Sequence, residues 1–353
     1  MKSADKPGSK SILEDLTHTL LYEGYALYPY HRYAIKNQKP VPFGVVFPGD
    51  YNTCNVHAHS KLQTQCIVTG SQDLLVNISV RFLHLRKTEL YDPADYRHAP
   101  INDINIRGKS YQAGWQTTER TVSTADLQMF QLMQNKKVIP FEFAKMNESE
   151  FIFDESNTVV ANQISSVSEI RGSLMIAAET VENMRNAFRL TVTVTNATPV
   201  ENAERVTRDE VLAQSFLSTH TVLQTNASFI SHQNPGEKWK AAIAACENIN
   251  TWPILIDESN STVLSSPIIL YDYPRINPQS SGDLFDSTEI EEALLLHVAL
   301  LSDEEKKKIA QSDEKMRAML DKASHVSPGE LVDLHSGLKE SAPIQSSMKK
   351  SES

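Results

Sequence analysis

Apolar and polar positions alternate along several short stretches of the chain, clearest in "RGSLMIAAETV" and "AFRLTVTVTNATPV". In the second, Phe188, Leu190, Val192 and Val194 fall on one side and Arg189, Thr191 and Thr193 on the other. A period of two residues predicts a half-buried strand, because successive side chains leave opposite faces of a sheet. "QCIVTG" and "LLVNISVRFLHLRKTEL" predict two more strands joined by a polar turn around Ser71–Asp73. In the longer one Val76, Ile78, Val80 and Phe82 form the apolar face. "KVIPFEFA" and "EFIFDE" predict a further pair, and "PFGVVFP" (42–48) a strand between prolines. "WPILID" and "STVLSSPIILYDYP" read as short strands near the end of this series.

Helical signals are fewer. "SILEDLTHTLL" predicts a short helix, capped by Ser11 with Glu14 three residues on. After Pro199 the character changes: "ENAERVTRDEVLAQ" begins helical, with Thr207 and Glu210 forming a capping-box pattern. "PGEKWKAAIAACENI" predicts a helix with Pro235 near its start, and helices are expected at roughly 288–300, 303–323 and 328–338. Many short strands with turn signals favour an antiparallel, sandwich-like core. The fold class predicted is therefore α+β, with a β-rich core and C-terminal helices. A β-rich domain is expected over 11–199 and an α/β region over 200–339, either as a second lobe or continuous with the first. The polar ends, 1–10 and 340–353, are expected to be disordered.

Composition narrows the classes of function. Lys+Arg number 34 against 44 Asp+Glu, a formal net charge of -10. Diffuse acidity argues against nucleic acid as the main partner, since phosphate binding needs a basic surface. The three cysteines, Cys54, Cys66 and Cys246, are odd in number and widely spaced, unlike a disulfide framework. The polar start "MKSADKPGSK" has no apolar signal core, and no run of apolar residues is long enough for a membrane span. A reducing cytoplasm is the expected compartment.

No glycine-rich nucleotide loop and no serine-nucleophile motif stands in the chain. Four places hold chemistry-bearing residues. Cys54, His57, His59 and Cys66 have zinc-ligand side chains, but the spacing C-x2-H-x-H-x6-C is not a standard one. The preferred reading is a surface loop that happens to hold two histidines, with Cys66 buried at the start of a strand. Cys66 and Cys246 could meet in space, although "AAIAACEN" also suits a core cysteine. The stretch "LSSPIILYDYPRINPQSSGDLFDSTEIEE" carries Asp272, Asp283, Asp286, Glu289, Glu291 and Glu292. Helix capping explains Asp286 with Glu289 and Thr288 with Glu291, leaving Asp272 and Asp283 as the better functional candidates. "YPYHRYAIKN" gathers Tyr28, Tyr30, His31, Arg32, Tyr33 and Lys36, aromatics beside cations that suit an anion or a protein surface.

Three blocks carry a resemblance. They are "YEGYALYPYHRYAIKNQKPVPFGVVFP" with "QTQCIVTG", then "FRLTVTVTNATP" through "STHTVL" to "CENINTWPILI", then "LSSPIILYDYPRINPQSSGDLFDSTEIEEALLLHVALLSDEEKKKI". Together they resemble a family of largely uncharacterised bacterial proteins encoded beside nickel–iron hydrogenases, especially the oxygen-tolerant, actinobacterial type. The family pattern resembles "QTEC" where this chain has Gln65 before Cys66. The resemblance implies a cytoplasmic accessory or maturation role, with a hydrogenase subunit or another maturation protein as partner. It supplies no catalytic residues and no cofactor. On this reading Tyr30, Arg32 and Lys36 anchor the partner and Asp272, Asp283 and Asp286 recognise a basic surface. The rival class is a metal-binding protein or metal-dependent enzyme using Cys66, Cys246 and carboxylates of 272–289.

Overall fold

The computed structural model describes residues 44–274 apart from 56, 57, 72, 94–100, 107 and 108, together with 13, 14, 16–18, 20 and 21. The chain enters through a helix within 13–21 (α1) and a short helix, Gly49–Cys54 (α2). Strands β1 (Lys61–Thr69) and β2 (Leu75–Tyr91) follow, then a hairpin of β3 (Asp103–Ile106) and β4 (Lys109–Gln112). Next come β5 (Gly114–Ser123), β6 (Leu127–Gln128), helix α3 (Met129–Gln134), β7 (Lys137–Phe143) and β8 (Met146–Phe153). β9 (Val159–Val167), β10 (Ile170–Thr180) and β11 (Ala187–Asn196) precede helix α4 (Arg208–Leu212). β12 (Leu217–Thr225), β13 (Ser228–Phe229), helix α5 (Lys240–Ala244), β14 (Trp252–Leu255) and β15 (Thr262–Ser266) complete the described series.

Apart from the separate β3–β4 hairpin, the strands build two antiparallel sheets, as expected of a β-rich α+β protein. One runs β13-β1-β11-β10-β7. The other runs β14-β15-β12-β2-β9-β8, with β5 and β6 also paired to β2. Alternation fills the space between them. Leu62, Cys66 and Val68 of β1 and Phe188, Leu190, Val192 and Val194 of β11 meet Val76, Ile78, Val80 and Phe82 of β2 in one buried cluster. At its centre the Phe82 ring lies 4.7 Å from Phe216 and 5.9 Å from Phe143. Gly172 of β10 is required there, because a Cβ would come within 2.3 Å of the Phe141 ring. A hydroxyl relay also crosses the sandwich: Thr64 of β1 donates to Ser265 of β15 at 2.7 Å, and Thr251 joins Ser265 at 2.7 Å.

The outer face of β12, β15 and β14 is covered by α1, through Leu16 and Leu20 against Val222, Leu264 and Ile254. Beneath this helix His220 is fully buried. Its Nδ1 bonds the Ser218 carbonyl at 2.7 Å and its Nε2 the Ser266 hydroxyl at 3.2 Å. Strands from beyond Pro199 sit inside both sheets, β12 against β2 and β13 against β1, so the regions before and after residue 200 are interleaved.

Several expectations shift. The β10–β11 pair forms in register, Ile176 opposite Val192. β7 and β8 do not pair with each other: β7 joins β10 in one sheet and β8 joins β9 in the other. Over its described residues, 44–48, "PFGVVFP" contributes only an isolated bridge, Val46 with Phe216, and no strand. The capping box holds, with the Thr207 N–H donating to Glu210 at 2.8 Å, although the helix it starts is only one turn and a half long. The helices expected from 288 onward lie outside the described residues.

Candidate functional site

The segments carrying Cys66, Cys246 and Asp272 converge on β1. Gln65 is the hub. Its side chain accepts from the Glu247 N–H at 2.7 Å and donates to Thr191 at 3.1 Å. Its backbone N–H donates to the Asn248 side chain at 2.8 Å. Gln63 adds a bond to the Glu247 carbonyl at 2.9 Å and exchanges backbone bonds with Ile249. The stretch after α5 is thus stitched along one strand by two glutamines.

Pleating separates the two cysteines. Cys66 points into the core with Leu190 and Val68, whereas Cys246 packs with Ile67 and Ile243 on the outside of the same sheet. Burial, with a smaller contribution from Cys246, pushes the Cys66 thiol well above its ordinary range. Burial also raises Cys246, against the nearby Arg189 guanidinium, which favours the thiolate. Arg189 is itself paired to Glu179 at 2.7 Å. Both thiols are therefore held protonated at neutral pH, and a metal bridging them would have to be bound against that burial. Cys54 and His59 are exposed, so the fully buried Cys66 does not join them; His57 lies outside the described residues. Among the described residues no three His, Cys, Asp or Glu side chains are gathered to hold a metal.

Asp272 has an internal task. One oxygen accepts from the Ser231 hydroxyl at 2.5 Å and the other from the Leu255 N–H at 2.8 Å, tying the loop after β13 to β14. His232 beside it is lowered to about 4 by burial, although the Asp272 charge and the Gln65 backbone pull the other way. Its neighbours Ile269 and Tyr271 are exposed. Tyr30, Arg32, Lys36, Asp283 and Asp286 lie outside the described residues.

The two sheet edges expose apolar side chains that the sequence alone does not single out. β7 and β8 each end their sheet. They expose Val138 at 52%, Phe151 at 47% and Phe153 at 45%, and Phe130 of α3 is exposed nearby in sequence. The available signal was "EFIFDE", where apolar residues stand at three of four successive positions and only Ile152 is buried. Beside α3 lies a cleft of about 310 Å³ lined by Leu127 and Leu132 together with Gln128, Gln131, Asn135 and Lys137, without carboxylates. Among the described residues no helix is long and apolar enough to cross a membrane. No known family model matches the chain, and no curated protein matches it.

The Gln65 hub makes a direct prediction. Gln65→Leu removes the acceptor of the exposed Glu247 N–H, which water can then take, and should cost about 0.5–1.5 kcal/mol. Gln65→Glu keeps that acceptor, and the Thr191 hydroxyl can turn to donate, so the loop should stay in place. Amide hydrogen exchange at Glu247 distinguishes them: fast in Gln65→Leu, near wild type in Gln65→Glu.

Proposed function

We propose that this protein acts by binding another protein, as an accessory or maturation factor for a nickel–iron hydrogenase. The observation that supports binding is the group of large apolar side chains left exposed on sheet-terminating strands β7 and β8. An isolated exposed apolar residue is ordinary, but a run of them on an open strand edge marks an interaction surface. The hydrogenase context comes from the resemblance of the three sequence blocks, and no finding on the fold adds to it. Nothing in the geometry around Cys66, Cys246 and Asp272 favours a reaction at that place: the thiols are protonated and the carboxylate is committed to two internal hydrogen bonds.

The test is an affinity pull-down of the tagged full chain from a host expressing the neighbouring hydrogenase genes, read by mass spectrometry. The expected result is recovery of a hydrogenase subunit in precursor form, which would place the protein in assembly. Recovery with mature enzyme only would make it a permanent subunit instead. Recovery of no hydrogenase-related protein would overturn the hydrogenase assignment.

A further inference from the structure

The sheet edges are treated unequally. β13 is two residues long, and the four residues of β14 include Pro253. β7 carries Lys137 and Pro140, and a proline supplies no N–H to an incoming strand. β5 presents Glu119 and Arg120. β8, "MNESEFIF", has no proline and no lysine, is eight residues long and is paired only to β9 among the described residues; its only guards are the charges of Glu148 and Glu150 and a shift of register at Ile152/Phe153. All its side chains except Ile152 are exposed.

The two faces of β8 differ in chemistry. Glu148 and Glu150 share a face with Ile152, which packs on Leu90 and Ala161. Asn147, Ser149 and Phe151 share the other. Glu148 is bridged to Arg86 at 3.2 Å, but its side chain is still 53% exposed. Glu150 has no ion-pair partner among the described residues. A second copy of β8 is a poor occupant. Two-fold antiparallel pairing centred on Ser149 sets Glu148 opposite Glu150, and centring on either glutamate sets it opposite itself. Like charges directly opposite destabilise a sheet, and the chain as a whole carries a net charge of -10.

We propose that β8 is a docking edge for an extended segment of another protein, one that alternates basic with apolar residues. Its backbone would continue the sheet. Its Lys or Arg side chains would lie along Glu148 and Glu150, and its apolar side chains along Phe151. This rests on the protein-binding role proposed above and names the kind of partner segment it takes.

The experiment uses the full chain and a fluorescent peptide of about ten residues, the length of a strand pair, alternating lysine and valine. Fluorescence anisotropy should show binding that weakens with salt and is absent for a glutamate–valine peptide. Glu150→Lys should weaken binding about fivefold, and Glu150→Lys/Phe151→Asp at least about tenfold. Both variants change exposed residues, so an unchanged melting midpoint confirms folding. Should a variant unfold, amide exchange on the wild type decides: the peptide must slow exchange within 146–153. Equal binding to the double variant, equal binding of the glutamate peptide, or no binding at all would overturn the proposal. So would a wild-type dimer in sedimentation that Phe151→Asp disperses, which would make a second copy the occupant. A pull-down that survives the double variant while the peptide fails would reject this edge and leave the protein-binding role standing.

Discussion

Between pH 6.5 and pH 4 the protein should lose a large part of its stability, with the melting midpoint falling by roughly 10 °C or more. The cause is its buried imidazoles. His220 is lowered to about 4 by burial, with the nearby Arg81 adding to that and the Ser218 carbonyl opposing it. His84 is also lowered to about 4, by burial first and then by the Arg120 charge. His232 behaves alike. An unfolded histidine titrates near 6.5. Below that pH the unfolded chain takes up protons that the folded chain refuses, so stability drops as pH falls and levels off below about 4. For one fully buried ring the loss amounts to roughly 3 kcal/mol. Two variants separate the contributions. His84 has no hydrogen-bond partner on either ring nitrogen, and the Ala213 backbone approaches it without bonding geometry. His84→Phe should therefore hold or raise stability at pH 7 and make the acid slope shallower. His220→Phe leaves the Ser218 carbonyl and the Ser266 hydroxyl without the ring. It should cost about 1–3 kcal/mol at pH 7 while also flattening the slope. Thermal melts at pH 7, 5.5 and 4 read all of this. A midpoint that does not move with pH would show that the rings titrate freely in the folded protein.

Phe82→Ala should cost about 3–5 kcal/mol in chemical denaturation. Phe82 is fully buried and its ring touches an aromatic group drawn from both sheets: Phe141 and Phe143 of β7, and Phe216 just before β12. Truncation removes the ring from all three and opens a cavity that Gly172 cannot fill, having no side chain. Phe82→Leu keeps most of the volume and should cost less than half as much. Equal costs for the two variants would mean the neighbouring rings collapse into the space, and the cluster is then not the rigid centre described here.

The sheet core was written plainly in the sequence. β11 shows why: its alternation is strict, and every second residue meets the opposite sheet. β5 was not legible, because "GWQTTERTVS" has one buried apolar residue, Val122; only pairing with β2 makes it a strand. β9 escaped for a similar reason, mixing serine and asparagine with its apolar residues, several of them buried. Pairing between sheets was also beyond linear reading, since β7 and β8 are neighbours in sequence but hydrogen-bond to different sheets. The convergence of Gln65, Cys246 and Asp272 depends on β1 lying between distant loops. Cys66 was legible as a strand residue, yet its separation from Cys246 follows from the pleat, which spacing alone does not give. The outward-facing Phe151 was hidden because an apolar residue in a strand pattern reads as core.

The interleaving of early and late strands bears on how the chain is made. β2 leaves the ribosome early, with Val76, Ile78, Val80 and Phe82 along one face, but its neighbour β12 and the closing β15 come much later. At synthesis rates of about 5–20 residues per second, that apolar strand waits for many seconds without its partner. Contacts so distant along the chain also fold slowly, because a long loop must close before any pairing rewards it. A nascent chain halted near residue 199 therefore has both sheets incomplete and no self-sufficient piece to fold. This protein should depend on holding chaperones during translation, and its half-made forms should be prompt substrates for proteolysis.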